Sequence, residues 1–324
     1  MKLAYSLWNK IVMAGLVLSV SCVMAFNWIV DPYEVFGTEF VRHGAPMNDR
    51  FKKVEHLLKH KEDYNTLIMG SSVMGVYDPA WLSEGHPERR VYNASFLGGF
   101  PVDAHKVLAT ITNDGAKVHE VFIGIDLWQF MQSEDSAGPS RRHHYRITRD
   151  SPWSFYADYL FASSLWHGWV KLNDSLSRIP GIEFDVSSSG RYFLRQQDLE
   201  IDSDPDRYIK KHFPAMKTGH RDERKSLWIG SRFAELKAFV EWARENRIKT
   251  TFFLQPSNHL LRDNLPAGAI DDFRKRVFAI TGVIPDFTQA KEITDNDRLF
   301  YDPKHYVPAV AIEIVKQTYA AGPR

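Results

Sequence analysis

Thr66-Leu67-Ile68-Met69-Gly70-Ser71-Ser72 is the stretch on which the fold turns. A short apolar run that stops at glycine and two serines suits a buried strand opening into a loop or helix. The same grammar recurs downstream. Val118–Asp126 (VHEVFIGID) reads as a strand, Thr250–Leu254 as another stopped by Pro256, Arg90–Asn93 as a weaker one and Val283–Phe287 as a short last one. Helical patterns lie between and after them: Val102–Thr112, ending near Asn113-Asp114-Gly115, then Phe233–Asn246, Asp271–Ile280 and a tail over Pro308–Tyr319. Strands alternating with helices imply parallel pairing and a layered α/β sheet.

Upstream, Asp31–Gly37 reads as a turn-rich connector, and Asn48–His60 carries a helical pattern through Phe51, Val54, Leu57 and Leu58. The expected organisation is an anchor over 1–30, a connector and helix over 31–63, and a catalytic-type domain over 64–324. Between about 131 and 226 the alternation fails and the text becomes rich in aromatic residues, Ser, Asp and Arg. A structureless loop of that length is improbable, so this is an insertion with helix over Pro152–Asn173, lying over one sheet edge. Shaping a substrate site and serving as packing or partner-contact structure both remain open for it.

Ile11–Val30 is a run of about twenty residues broken only by Ser19, Ser21 and Asn27, long enough to span a bilayer. Lys2 and Lys10 precede it and Asp31 and Glu34 follow, which places the N-terminus in the cytoplasm and the remainder across the membrane. A cleaved signal peptide is the competing reading, but Cys22-Val23-Met24-Ala25-Phe26 lacks a small-x-small site. Lipidation at Cys22 is disfavoured by Ser19, where a large aliphatic residue is wanted. As the only cysteine, Cys22 forms no intrachain disulfide, so the exported domain relies on its core. Forty-one Lys and Arg against 40 Asp and Glu give a net charge of +1. That balance, with Arg141–Arg146 as the best basic run, argues against nucleic acid as a partner.

In an open α/β sheet, ligands bind beyond the carboxyl ends of the strands. Three such places stand out: Gly70-Ser71-Ser72, Asn93-Ala94-Ser95-Phe96-Leu97-Gly98-Gly99 and Gly124-Ile125-Asp126. Near the C-terminus, Asp302-Pro303-Lys304-His305 adds a carboxylate and an imidazole three residues apart. A serine hydroxyl is a weak nucleophile that needs a base within reach, and the base needs a carboxylate to fix its tautomer. Ser72, His305 and Asp302 supply those three roles. Alone, Gly-Ser-Ser is an ordinary helix cap and Asp-x-x-His an ordinary surface turn; their order along the chain gives them weight. His143, His144 and His167 lack a ligand pattern and read as surface or packing groups. No Cys, His or carboxylate set has metal spacing, and no cofactor-binding glycine motif surrounds Gly98-Gly99. Trp128, Trp153, Trp166 and Trp169 are expected in core packing, with stacking on sugar rings as the alternative.

On these residues the chain resembles the SGNH, or GDSL-like, hydrolase superfamily. Leu67–Ser72 matches the strand and Gly-Asp-Ser of its first block, with Ser71 in place of the aspartate. Gly98, following Asn93, matches the second block's glycine, and Asp302 with His305 matches the last block. The similarity spans about residues 64–320, the insertion excepted. More narrowly, Gly-Ser-Ser with an N-terminal anchor resembles the membrane-anchored alginate O-acetylation proteins and the D-alanine transfer protein of teichoic acid synthesis. The resemblance implies a three-layer α/β/α sandwich with a parallel, flavodoxin-like sheet. It also implies a triad of Ser72, Asp302 and His305, no cofactor, and a polysaccharide or envelope glycopolymer acceptor. A membrane-bound O-acyltransferase is the implied partner, in a bacterial inner membrane with the C-terminal domain in the periplasm.

The chain departs from that family where Gly124-Ile125-Asp126 replaces the third block's Gly-x-Asn-Asp. A carboxylate aimed at a developing oxyanion repels it, so Asp126 is no donor unless protonated. The backbone N–H groups of Ser72 and Gly98 remain as the oxyanion donors, with Ser71, Asn93 and Asp126 lining the site. Serine-dependent acyl transfer or ester hydrolysis is therefore the leading expectation. A catalytically weak glycan-binding or scaffold subunit of a membrane acylation complex is the competitor, and Asp126 is the residue that favours it.

Overall fold

A computed structural model describes residues 2–38, 40–41, 47–131, 138–162, 165–176, 181–213 and 227–320. Helices α1 (Lys2–Val30) and α2 (Asp49–Lys59) precede β1 (Thr66–Met69), a 3-10 turn over Ser72–Val76, α3 (Pro79–Ser83) and β2 (Val91–Asn93). Then come α4 (Pro101–Asn113), β3 (Glu120–Ile125), α5 (Trp128–Met131), α6 (Tyr145–Thr148), α7 (Pro152–Ala162) and α8 (Leu165–Leu176). They are followed by β4 (Glu183–Phe184), β5 (Tyr192–Phe193), α9 (Arg195–Ser203), α10 (Pro205–His212), α11 (Gly230–Glu245) and β6 (Lys249–Leu254). The chain closes with α12 (His259–Arg262), α13 (Ala269–Thr281), α14 (Lys291–Thr294) and α15 (Pro308–Ala320). Two compact units result: residues 1–52 with 137–183, and residues 53–136 with 184–324. The stretch 131–226 is thus shared between them, and its residues 132–137, 163–164, 177–180 and 214–226 lie outside the described residues.

The larger unit is α/β, built on a four-stranded parallel sheet in the order β2-β1-β3-β6. β1 pairs with β2 from Thr66↔Val91 to Ile68↔Asn93 and with β3 from Thr66↔Glu120 to Met69↔Ile123. β3 continues to β6 through Ile125↔Leu254. Every residue of β1 and β3 is buried, and after the polar first residues Thr66 and Glu120 their text is apolar or glycine, as strands covered on both faces require. A fifth strand over Val283–Phe287 does not form. Only a bridge between Leu254 and Asp286 is made, carried by the Leu254 N–H donating to the Pro285 carbonyl and the Phe287 N–H to that of Leu254. Pro285 brings no N–H to a ladder, and Asp286 gives its carboxylate to Arg274 and to the N–H and hydroxyl of Thr288.

In the smaller unit, Ser6–Val30 of α1 is the one described helix long and apolar enough to cross a membrane, with mean hydropathy 2.0 in its best window. Its C-terminal end is fastened firmly. The buried Asp31 carboxylate accepts from the N–H groups of Val35, Phe36 and Gly37 at 2.9–3.0 Å, and the Lys171 ammonium donates to the Asp31 carbonyl at 2.8 Å. Tyr33, Val35, Phe51, Phe155 and Tyr159 form this unit's core. Helix is found over the stretch where it was expected, Pro152–Asn173, as α7 and α8, with residues 163–164 outside the described ones. The expected core role of its tryptophans is overturned, since Trp153, Trp166 and Trp169 are 86%, 66% and 62% exposed.

Candidate active site

The corner after β1 is built by glycine. Gly70 has φ +141°, and a Cβ there would meet Met74 Cγ at 2.6 Å and the Gly124 carbonyl oxygen at 2.9 Å. Only a residue without a side chain lets the strand turn here. Ser71 then caps the 3-10 turn, its hydroxyl accepting from the Val73 N–H, and Ser72 is the first residue inside it. A first-turn N–H has no acceptor within its own helix, so this position presents a backbone donor beside the Ser72 hydroxyl.

Ser72 Oγ lies 2.8 Å from His305 Nε2, and His305 Nδ1 lies 2.7 Å from Asp302 Oδ2. The other Asp302 oxygen accepts from the N–H groups of Lys304 at 2.7 Å and His305 at 3.0 Å. These bonds hold the turn in the shape that presents the imidazole. With Nδ1 donating to the carboxylate, the Nε2 lone pair faces Ser72. Burial alone would raise the Asp302 carboxyl; the hydrogen bond and charge of His305, with the two N–H groups, hold it below the ordinary carboxylate range.

The other sequence candidates separate by role. Ser71 Oγ donates to Asp126 Oδ2, so it faces away from the imidazole partnership. Asp126 Oδ1 accepts from the Gln129 N–H at 3.1 Å, and the Asp126 N–H donates to Gln129 Oε1 at 3.1 Å, a reciprocal cap on α5. Burial pushes the Asp126 carboxyl up, opposed by the Ser71 and Gln129 hydrogen bonds and the nearby His305. Asn93 is fully buried with its amide turned inward: Nδ2 donates to the carbonyls of Met74 at 2.8 Å and Tyr77 at 2.9 Å. Its Oδ1 accepts from the Ser95 N–H and hydroxyl. It fixes the loop after β2 to the turn after β1 and does not line a site. Gly98, with φ +62°, precedes Gly99, whose missing Cβ would lie 2.5 Å from the Gly70 carbonyl oxygen. Two glycines thus bring the 94–99 loop against the Ser72 corner.

Several supports escaped the sequence reading. The Tyr192 hydroxyl, from β5, donates to the Ser72 carbonyl, and its ring lies on Gly75. The Tyr208 hydroxyl donates to the Tyr301 carbonyl at 3.0 Å, and the Tyr301 hydroxyl donates to Asp198, so α9 and α10 brace the residue before Asp302. The Tyr306 hydroxyl donates to Gln255 Oε1 at 2.7 Å just beyond β6. Lys304 Nζ stands 3.4 Å from the Trp128 ring centroid; burial lowers its ammonium, against the pull of Asp302 and Asp126. Only position could have revealed Gln255, which directly follows a strand; the tyrosines sit in text without a period. His144 and His167 belong to the smaller unit, where His144 stacks on Phe51 and His167 bonds the Tyr33 hydroxyl at 2.8 Å. Among the described residues no three His, Cys, Asp or Glu side chains converge as metal ligands would.

The chain matches no protein-family model, and no curated protein matches it.

Proposed function

We propose that the chain is a membrane-anchored serine acyltransferase or esterase of the SGNH type, acting on an extracytoplasmic polysaccharide or envelope glycopolymer. The observation that carries this reading is the continuous hydrogen-bonded series from Ser72 through His305 to Asp302, just beyond the carboxyl end of β1 in a parallel sheet. Ser72 Oγ attacks the acyl carbon of a donor ester while His305 Nε2 takes its proton. The tetrahedral oxyanion is held by the N–H groups of Ser72 and Gly98. Collapse expels the donor alkoxide, which takes the proton from His305 and leaves an acyl-Ser72. A polymer hydroxyl, or water in the hydrolytic case, then gives its proton to His305 and attacks the acyl group, and His305 returns that proton to the departing Ser72 oxygen.

Asp302 stays ionised and stabilises the imidazolium formed twice per cycle. The engagement of Asp126 by Ser71 and Gln129 supports catalysis over a scaffold role, because a carboxylate so occupied is not aimed at the oxyanion. The three-layer α/β/α arrangement belongs to the same reading. So does the topology, with Lys2 and Lys10 in the cytoplasm, α1 as a signal anchor in a bacterial inner membrane and the catalytic unit in the periplasm. A membrane-bound O-acyltransferase that supplies the acyl donor is the partner this topology suits.

The test is an activated serine ester probe applied to the purified full chain, followed by mass spectrometry of the Ser72 peptide. Labelling is expected in the wild type and in Ser71→Ala, and is expected to be lost in Ser72→Ala and His305→Ala while the fold persists. Labelling of Ser72 that is indifferent to His305 overturns the triad.

A further inference from the structure

The face of α8 turned from its own core is apolar along its length. At about 100° per residue, Leu165, Trp169, Leu172 and Leu176 fall within a narrow stripe. Leu165 is 53% exposed, Trp169 62% and Leu176 86%. The flank beside the stripe is inward: Gly168 abuts the Phe26 ring, and the Lys171 ammonium is buried against the Asp31 carbonyl. Exposed leucines and a tryptophan in a row, with no charge among them, are not how a helix meets water.

Where this stripe sits along α1 identifies its surroundings. α1 is exposed from Ser6 to Cys22 and begins to bury one side at Val23. Its contacts with α7 and α8 fall in that terminal part: Phe26 lies against Gly168, and Asn27 Nδ2 donates to the Leu160 carbonyl at 2.7 Å. From Val23 to Val30 the helix rises about 10 Å. The 25 residues of Ser6–Val30 span about 37 Å, against about 30 Å of hydrocarbon. The last turns of α1, and α8 with them, therefore fall at the boundary between acyl chains and headgroups. Trp28 and Phe40, with ring centroids 6.0 Å apart, are both exposed at the same end of α1. Aromatic residues collect at that depth of a bilayer.

We infer that the Leu165–Trp169–Leu176 face of α8 is seated in the outer leaflet of the membrane that α1 crosses, so that the chain holds the bilayer by an interfacial helix as well as by a span. The inference rests on the reading of α1 as a membrane anchor. The occupant is lipid because the stripe is borne by a helix packed on the last turns of the exposed, apolar α1, at a depth where acyl chains end, and in-plane helices bury an apolar face about 5–10 Å into that boundary.

The test uses the full chain in lipid nanodiscs, with Cys22→Ser as background and a fluorophore on Trp169→Cys, Leu176→Cys or Leu18→Cys. Nitroxide-bearing lipids report contact with the bilayer, and iodide reports contact with water. The labels at 169 and 176 are expected to be quenched more by a nitroxide near the headgroup than by one near the chain end, and weakly by iodide. The label at 18 is expected to show the reverse depth preference. Iodide quenching at 169 and 176 with lipid quenching at 18 overturns the interfacial helix and leaves the span intact. Absence of lipid quenching at 18 removes the span and the inference with it. A photoreactive benzophenone side chain at position 169, irradiated in intact cells, is expected to give no discrete protein adduct. A single shifted band identifies a protein occupant and overturns lipid.

Discussion

Adding one methyl group at Gly75 tests whether the β5 strand supports the turn that carries Ser72. A Cβ there would lie 1.9 Å from Tyr192 Cε1 and 2.3 Å from its Cδ1, where ordinary contact begins near 3.4 Å. The buried tyrosine ring must therefore retreat by about 1.5 Å. A shift of that size stretches its hydroxyl bond to the Ser72 carbonyl beyond hydrogen-bonding length. Overpacking of this kind costs about 1–3 kcal/mol, and a lost neutral hydrogen bond about 1 more, so Gly75→Ala is expected to lose about 2–4 kcal/mol. Urea unfolding of the full chain in mild detergent reads this as a lower midpoint at constant slope. In a Tyr192→Ala background the ring is absent and the added methyl has room, so the same substitution is expected to cost almost nothing. The coupling between the two sites is then about 2 kcal/mol or more. Equal losses in both backgrounds, to within about 0.5 kcal/mol, refute the contact as the cause.

Asn93→Ala strands the buried carbonyls of Met74 and Tyr77 and the Ser95 hydroxyl, and is expected to cost at least about 3 kcal/mol by the same measurement; a loss below about 1 kcal/mol contradicts the inward amide. Asp126 has a raised carboxyl, so its favourable contribution is present at low pH and is lost as pH rises through its folded pKa. The stability of Asp126→Asn relative to wild type is therefore expected to improve from acid to neutral pH, with Ser72 labelling retained, and the opposite trend defeats the assignment. Asp302 has the reverse sign: its lowered carboxyl contributes above its unfolded pKa of about 3.9 and loses that contribution as pH falls through its folded value. The stability penalty of Asp302→Asn is expected to shrink on acidification, and a penalty that grows there excludes the His305 pairing as its source.

The sequence announces the parts of this molecule that depend on unbroken local text. Beyond their polar first residues, Thr66–Met69 and Glu120–Ile125 are apolar or glycine and buried throughout, so their place in a parallel sheet is legible without neighbours. The Asp302–His305 pair is legible because its spacing is local and its turn is closed by its own N–H groups. Tyr192 is not, because its partners lie 120 positions away and its surroundings carry no period. Val283–Phe287 misleads because apolar content marks a strand while the ladder needs donors, and Pro285 has none. α7 misleads differently: Phe155 and Tyr159 face a core while Trp153 and Phe161 do not, and a helix with aromatic residues on several sides does not say which side is packed.

Ser72 and His305 meet across 233 intervening steps of chain. A polypeptide emerging N-terminus first exposes Ser72 long before His305 exists in folded form. A serine without an imidazole beside it is an ordinary alcohol, so the nascent chain is chemically quiet throughout its passage. On the proposed reading, reactivity waits for Tyr301–Tyr306 to close onto the sheet, which makes completion of folding the event that switches the chemistry on. On the same reading, a chain stopped short of that segment is expected to be inert toward an activated ester.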